Sequence, residues 1–268
     1  MSAPTTKPTV VLVPGFASVG SVVFEPTVIA LKSLGWTDDN LITVNNPTVD
    51  PIATKADLSP HGLAADIRNL RGILTKLIED ESRDVLLVGH SYGGTPSMSA
   101  SHDLWKHVRE TQGKQGGVIQ IGLIASSLTL PGHSVAVDRS QWQQANNMPP
   151  DDGSGVEMID GLPILAPTGL EKYWMNDIED EKYLTCLRPT ALTGAFSTVA
   201  DDIDPKQWRL NYLILTELDL AMPEGLQQHL IDGGRKAGAK IETAKLKSGH
   251  FAQISHPEEV AKWIAGLQ

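Results

Sequence analysis

Ser91 stands between glycines in GHSYGG (residues 89–94), where the aliphatic run Val85–Val88 gives way to small, helix-forming residues. A serine hydroxyl is a weak nucleophile until a base takes its proton. Two later residues could complete that chemistry: Asp219, in TELDLAMP, and His250, in SGHFAQIS. An imidazole at 250 would accept the serine proton. A carboxylate at 219 would fix the ring's tautomer and stabilise the imidazolium. The order serine, acid, histidine is the one found on strand–turn–helix nucleophile scaffolds. Glu217, two residues earlier, is an alternative acid; Asp219 lies further beyond the strand end, where a carboxylate can turn toward the histidine. Acyl chemistry also needs donors for the oxyanion. The backbone N–H of Tyr92, at a helix start, and that of Phe16, directly after Pro14-Gly15, are expected to supply them, which leaves both side chains to shape a pocket.

Such groups act together only if the chain brings them to one edge. Thr9–Val13 (TVVLV), Leu41–Val44, Asp84–Val88, Val118–Ile124, Asn211–Thr216 and Lys240–Leu246 read as strands, the apolar ones as buried and parallel. Helices are expected over Val22–Leu34, stopping at Gly35, and after Ser59-Pro60, with Ser59 as N-cap and an oily face of Leu63, Ile67, Leu70, Leu74, Leu77 and Ile78. Two more are expected over Pro223–Lys236 and Pro257–Leu267. The alternation predicts an α/β fold with a doubly wound, mainly parallel sheet. Ser91, Asp219 and His250 each follow a strand, at the edge where ligands bind in such sheets. Gly89 and Gly93 lack Cβ atoms where strand and helix meet, so Ser91 can occupy a strained turn. From about Ser126 to Pro205 no strand is evident, and the stretch is too long for a plain loop. The expected organisation is a core of residues 1–125 and 206–268 with an inserted helical cap over 126–205.

Composition narrows the function classes. The chain has 268 residues, 41% of them hydrophobic, and a formal net charge of -10. That charge argues against nucleic acid or an anionic membrane as partner. No apolar run approaches the roughly 20 residues of a membrane span, and the polar start at Met1–Pro8 lacks the apolar core of a secretory signal. The single cysteine, Cys186, permits no internal disulfide and reads as a small half-buried hydrophobe. A cytoplasmic monomer or homodimer is the expectation. No metal site is expected, because no H-E-x-x-H or C-x-x-C occurs, and no G-x-G-x-x-G follows a strand to hold a dinucleotide. No cofactor is therefore expected.

GHSYGG resembles the nucleophile elbow of the α/β-hydrolase superfamily. The resemblance extends over nearly the whole chain: VVLVPGF at the oxyanion position, YWMND…LRPTALTGAF in the cap, TELDLAMP for the acid and GHFAQISHPEEVAKWI for the base. The chain is similar to the compact, cofactor-free branch that includes plant methyl-ester esterases and hydroxynitrile lyases, with bacterial and fungal relatives. That branch usually has His-Gly where this chain has Pro14-Gly15; the loop histidine is structural there, so the departure touches the oxyanion loop and not the triad. The resemblance implies a serine hydrolase for a small to medium, largely apolar ester or lactone, with no cofactor. Related folds also perform C–C cleavage, lyase or cyclisation chemistry, and some relatives are ligand receptors, so these stand as alternatives.

Specificity is expected in the cap. His133, Trp142, Met148, Met158, Trp174, Met175, Phe196, Leu220 and Phe251 are the candidate pocket residues. His90 is expected to brace the elbow and His256 to start the last helix, while His61, His102, His107 and His229 read as surface groups. Asp177–Glu181 reads as a solvated acidic face.

Overall fold

The apolar runs pair as parallel strands. The computed structural model describes residues 7–50, 52–151, 153, 155–199 and 203–267. Its strands are β1 (Thr9–Val13), β2 (Leu41–Thr43), β3 (Asp84–His90), β4 (Gly117–Ile124), β5 (Val156–Ile159), β6 (Leu162–Leu165), β7 (Thr190–Ala191), β8 (Arg209–Glu217) and β9 (Lys240–Ser248). Six form one sheet in the order β2-β1-β3-β4-β8-β9, with every pair parallel. The chain leaves β1 toward one edge and β3 toward the other. The crevice beyond their carboxyl ends is therefore the switch point where ligands bind in such sheets.

Alternate side chains of each central strand enter opposite layers. Val11, Val13, Val85, Leu87, Ile121 and Leu123 belong to one buried cluster; Val10, Leu12, Leu86, Val88 and Ile124 belong to the other. The main helices are α1 (Glu25–Ser33), α2 (Leu63–Thr75), α3 (Gly94–Ala100), α4 (Val135–Ala145), α5 (Glu224–Lys236) and α6 (Pro257–Ala265). The first cluster takes Leu70 and Leu74 of α2, Met98 of α3 and Leu230 of α5. The second takes Leu31 of α1 and Val260 and Ile264 of α6. Burial of each such side chain contributes about 1.5–3 kcal/mol, and together they fix which strand ends share the crevice.

Two expectations change. The long helix does not start at Ser59-Pro60. Ser59 Oγ donates back to Ala56 O, closing a short helix over Lys55–Leu58, and α2 begins at Leu63 after Gly62. The segment between β4 and β8 is also not purely helical: β5, β6 and β7 form a three-stranded antiparallel sheet there, beside α4 and shorter helices. The β5–β6 register pairs Ile159 with Leu162, so Asp160-Gly161 is a two-residue turn, with φ of 51° and 76°. Asp-Gly is a strong signal for such a hairpin, but the flanks are only four residues each, and Pro163 in the second argues against a strand.

Candidate active site

β3 ends in a sharp turn that carries Ser91 at φ 52°, a left-handed conformation that costs a non-glycine residue energy. Neighbouring groups hold it there. The Ser91 carbonyl accepts from Ser127 N–H (2.9 Å), Ser126 Oγ (2.6 Å) and Ser127 Oγ (3.2 Å). A Cβ on Gly93 would lie 2.4 Å from Val13 O, and one on Gly89 would lie 2.9 Å from Gly94 N. Only glycine lets the turn pack against β1 and α3 at these distances.

Asp219 and His250 arrive in the loops after β8 and β9. Asp219 Oδ1 accepts from the N–H groups of Ala221 (3.0 Å) and Met222 (2.7 Å), and its Oδ2 lies 2.9 Å from His250 Nδ1. With Nδ1–H donating to the carboxylate, Nε2 is left to accept a proton, and it lies 2.9 Å from Ser91 Oγ. The side chains of His250 and Asp219 are 3% and 1% exposed, so water does not compete for this chain. Glu217 turns outward and pairs with Lys247 at 2.5 Å, while Asp219 makes the contact with the imidazole.

Further groups lock these loops. His90 Nε2–H donates to the His250 carbonyl at 2.8 Å, and burial holds the His90 ring well below the usual histidine range, hence neutral. The bond of His90 thus braces the loop of the base, where the sequence pointed to the elbow. Asp177 departs from its expected place on a solvated face. Its Oδ2 accepts from Gly249 N–H (2.7 Å), Ser255 Oγ (2.9 Å) and Ser248 Oγ (3.2 Å). Asn176 Nδ2 donates to Leu218 O, next to Asp219. One short stretch thus pins the chain beside both Asp219 and His250.

Phe16 and Tyr92 stack with ring centroids 4.1 Å apart. The Tyr92 hydroxyl donates to buried Asp66 (2.9 Å), which also accepts from Thr48 N–H and Oγ1. Burial pushes the Asp66 carboxyl up to about 6, against the pull of these bonds, and pushes the Tyr92 hydroxyl well above its ordinary value.

The decisive comparison is with a known family. A sequence model described as the Alpha/beta hydrolase family matches residues 10–263. The chain belongs to that family. This α/β-hydrolase is 26% identical over 275 residues to "Probable hydrolase R7" of Phoma sp., covering 98% of both chains. Its fold matches a crystal structure of polyneuridine aldehyde esterase with a TM-score of 0.73 at 18% identity, covering 98% of this chain and 99% of that one. It also matches a pyrethroid hydrolase, PytH, with a TM-score of 0.70 at 16% identity, covering 97% of both. The enzyme class and the plant-esterase-like kinship expected from the sequence agree with these matches.

In the hydrolase, Ser91 and His250 border a cavity of about 690 Å³ enclosed by the strand-end loops and the β4–β8 segment. Of the residues the sequence put forward for a pocket, Phe16, Tyr92, Trp174, Phe196, Leu220 and Phe251 line it. The other five pocket candidates lie elsewhere. Trp142 is buried in the core, its indole 3.6 Å from a Cβ built on Gly225 of α5, and Met175 packs in the second cluster. Met148 and Met158 are exposed. His133 stays outside the lining but bonds Asp138, which is in it. Helical spacing cannot say whether an apolar residue of an insertion faces the cavity or the core, which is why these five diverge. A polar wall also escapes the sequence pattern. Arg139 and Gln143 of α4 bind Asp151, and Arg139 reaches Ala221 O at 2.9 Å, next to the acid loop. Cys186 is buried, and its thiol is pushed up to about 11 by that burial, which keeps it protonated at neutral pH.

Proposed function

We propose that this α/β-hydrolase cleaves a small to medium, largely apolar carboxylic ester or lactone through an acyl-enzyme on Ser91. The observation that carries the reading is the unbroken chain from Ser91 Oγ through His250 to Asp219, beside a largely apolar cavity with one polar wall. The ester carbonyl enters beside Ser91. His250 Nε2 takes the hydroxyl proton as Oγ bonds to the carbonyl carbon, and Asp219 stabilises the imidazolium. The backbone N–H groups of Phe16 and Tyr92 hold the oxyanion. Collapse of the tetrahedral intermediate breaks the carbon–oxygen bond, and the leaving alkoxide takes the proton from His250. Water, deprotonated by the same imidazole, then attacks the acyl carbon and returns Ser91.

The β4–β8 segment acts as a cap that selects the acyl and alcohol groups. The esterase and hydrolase names of the relatives agree with ester cleavage. Among the described residues no helix is long and apolar enough to cross a membrane; a small-molecule enzyme working in the cytoplasm, as monomer or homodimer and without a cofactor, fits the charge and the single buried cysteine. Turnover of p-nitrophenyl esters of graded chain length tests the reading. Hydrolysis should favour medium acyl chains, whereas no turnover at any length would reject it.

A further inference from the structure

We propose that Asp138 is a substrate-binding group, so that the α4 wall of the cavity holds a subsite for a hydrogen-bond donor at the end of the substrate remote from Ser91. Its part in selecting esters rests on the ester reading above. The site itself rests on the burial and bonding of the Asp138 carboxylate.

Asp138 lies in the first turn of α4, lines the cavity, and has a side chain only 10% exposed. Its two oxygens differ. Oδ1 takes His133 Nδ1 at 2.6 Å. Oδ2 is buried and has no hydrogen-bond partner among the described residues. A buried carboxylate oxygen without a donor is costly, and native structures contain few such groups. The neighbouring donors are engaged. Arg139 is held by Asp151 and the Ala221 carbonyl, and the Gln143 amide also goes to Asp151. Val135, Ala136, Leu226 and Leu230, which line the same cavity, carry no side-chain donor. The imidazole of His229 exerts a charge effect on Asp138 without bonding it, and burial raises the Asp138 carboxyl above the usual carboxylate range against the pull of His133.

Oδ2 has almost no accessible surface as the side chain stands, so a donor that enters the cavity beside Asp138 reaches it through a small turn of the carboxylate and completes a set that the described residues leave one short. An ionised carboxylate only accepts, so the matching substrate group is a hydroxyl or a protonated amine. A site built around such a bond discriminates strongly against an analogue that lacks the donor, because the buried acceptor is then left bare.

The probes are methyl alkanoates from hexanoate to decanoate, each made with a methyl, hydroxyl or primary amine end. Calorimetric binding to the Ser91→Ala protein removes any need for turnover. At the chain length that reaches Asp138, the donor-ended ester should bind roughly ten- to a hundredfold tighter than the methyl-ended one. In the same background Asp138→Leu, or the shape-keeping Asp138→Asn, should reduce that ratio to below about threefold. A preference for the amine alone defines an ammonium site, and one for the hydroxyl alone a hydroxyl site. Equal binding of all three ends at every length, or a preference that survives both Asp138 variants, overturns the proposal. Wild-type protein that shows the preference yet hydrolyses none of the esters leaves the subsite standing and rejects the ester reading. Hydrolysis without any preference does the reverse.

Discussion

The loops after β3, β8 and β9 and the segment between β4 and β8 face one cavity, but they treat their polar groups in different ways. In the loops, Ser91 Oγ, both nitrogens of His250 and both oxygens of Asp219 have partners within 3.0 Å. In the segment, Asp138 Oδ2 has no hydrogen-bond partner among the described residues, and Asp151 and His133 are partly open to solvent. Groups bonded to one another within the protein need no reorganisation when charge develops, which suits a reacting centre. Groups left open suit recognition, because the ligand completes them. Backbone attachment follows the same division. Ser91, Asp219 and His250 sit directly after strands of the main sheet, whereas α4 and β5–β7 lie within a single long excursion between β4 and β8.

The largest expected effect breaks the loop side of this contrast. Asp219→Asn should lower kcat by roughly four orders of magnitude, because an amide cannot hold the Nδ1–H tautomer that leaves Nε2 free to accept. Glu217→Gln, in the same loop but paired outward, should leave kcat near wild type; steady-state kinetics on one p-nitrophenyl ester compare the two. If Glu217→Gln gives the larger loss, the acid has been misassigned.

Next is Asp177, the segment residue that behaves like part of the loops. Asp177→Ala removes the acceptor of Gly249 N–H and lets the His250 loop relax, and a shift of about an ångström at a reacting group can cost a hundredfold. A fall in kcat of about ten- to a hundredfold is expected, with KM less affected. Asp180→Ala, on the exposed part of the same acidic run, should change neither. Equal kinetics for the two variants would remove Asp177 from the positioning network.

The buried Asp66 beneath Tyr92 gives a pH test. Its folded-state value of about 6 lies above the ordinary 3.8. The folded form therefore binds the proton more tightly than the unfolded chain. The stability this contributes is complete below about pH 4 and is lost as pH rises through about 6. The melting temperature of wild type minus that of Asp66→Asn should decline by a few degrees from pH 4 to pH 7. Thermal melts across that range would show a constant difference if Asp66 were not buried and proton-binding as described.

The smallest effects belong to the cavity rim. Phe196 and Leu220 line the cavity while more than half exposed. Their truncation to Ala should shift the preferred ester chain length and change kcat/KM a few-fold for any one ester. A uniform loss for every ester would place them in the reacting machinery instead.

The two regions are legible in the sequence to different depths, for a physical reason. Buried parallel strands need near-continuous apolar runs, so TVVLV and VLLV announce β1 and β3 and fix where Ser91 falls. Asp219 and His250 follow because each ends a strand of the same sheet. The turn chemistry is legible too, since Gly89 and Gly93 are required by contacts of under 3 Å. The segment has no such rule. Trp142 and Trp174 look alike in sequence, yet one packs on α5 and the other lines the cavity. Asp177 sits in an acidic run, and only the folded chain shows Gly249 beside it. The Asp160-Gly161 hairpin has a readable turn and apolar flanks, but each flank is only four residues long and Pro163 argues against a strand; Asp138 carries no sequence signal beyond its spacing from His133.

The central claim is that Ser91 forms the acyl-enzyme. It is tested most directly by mass spectrometry of the protein after exposure to a fluorophosphonate, alongside ester turnover by Ser91→Ala. One phosphonyl adduct should appear on the peptide carrying Ser91, and Ser91→Ala should show no adduct and lose turnover by at least about a thousandfold. Labelling at another residue, or undiminished ester hydrolysis by Ser91→Ala, would contradict the account.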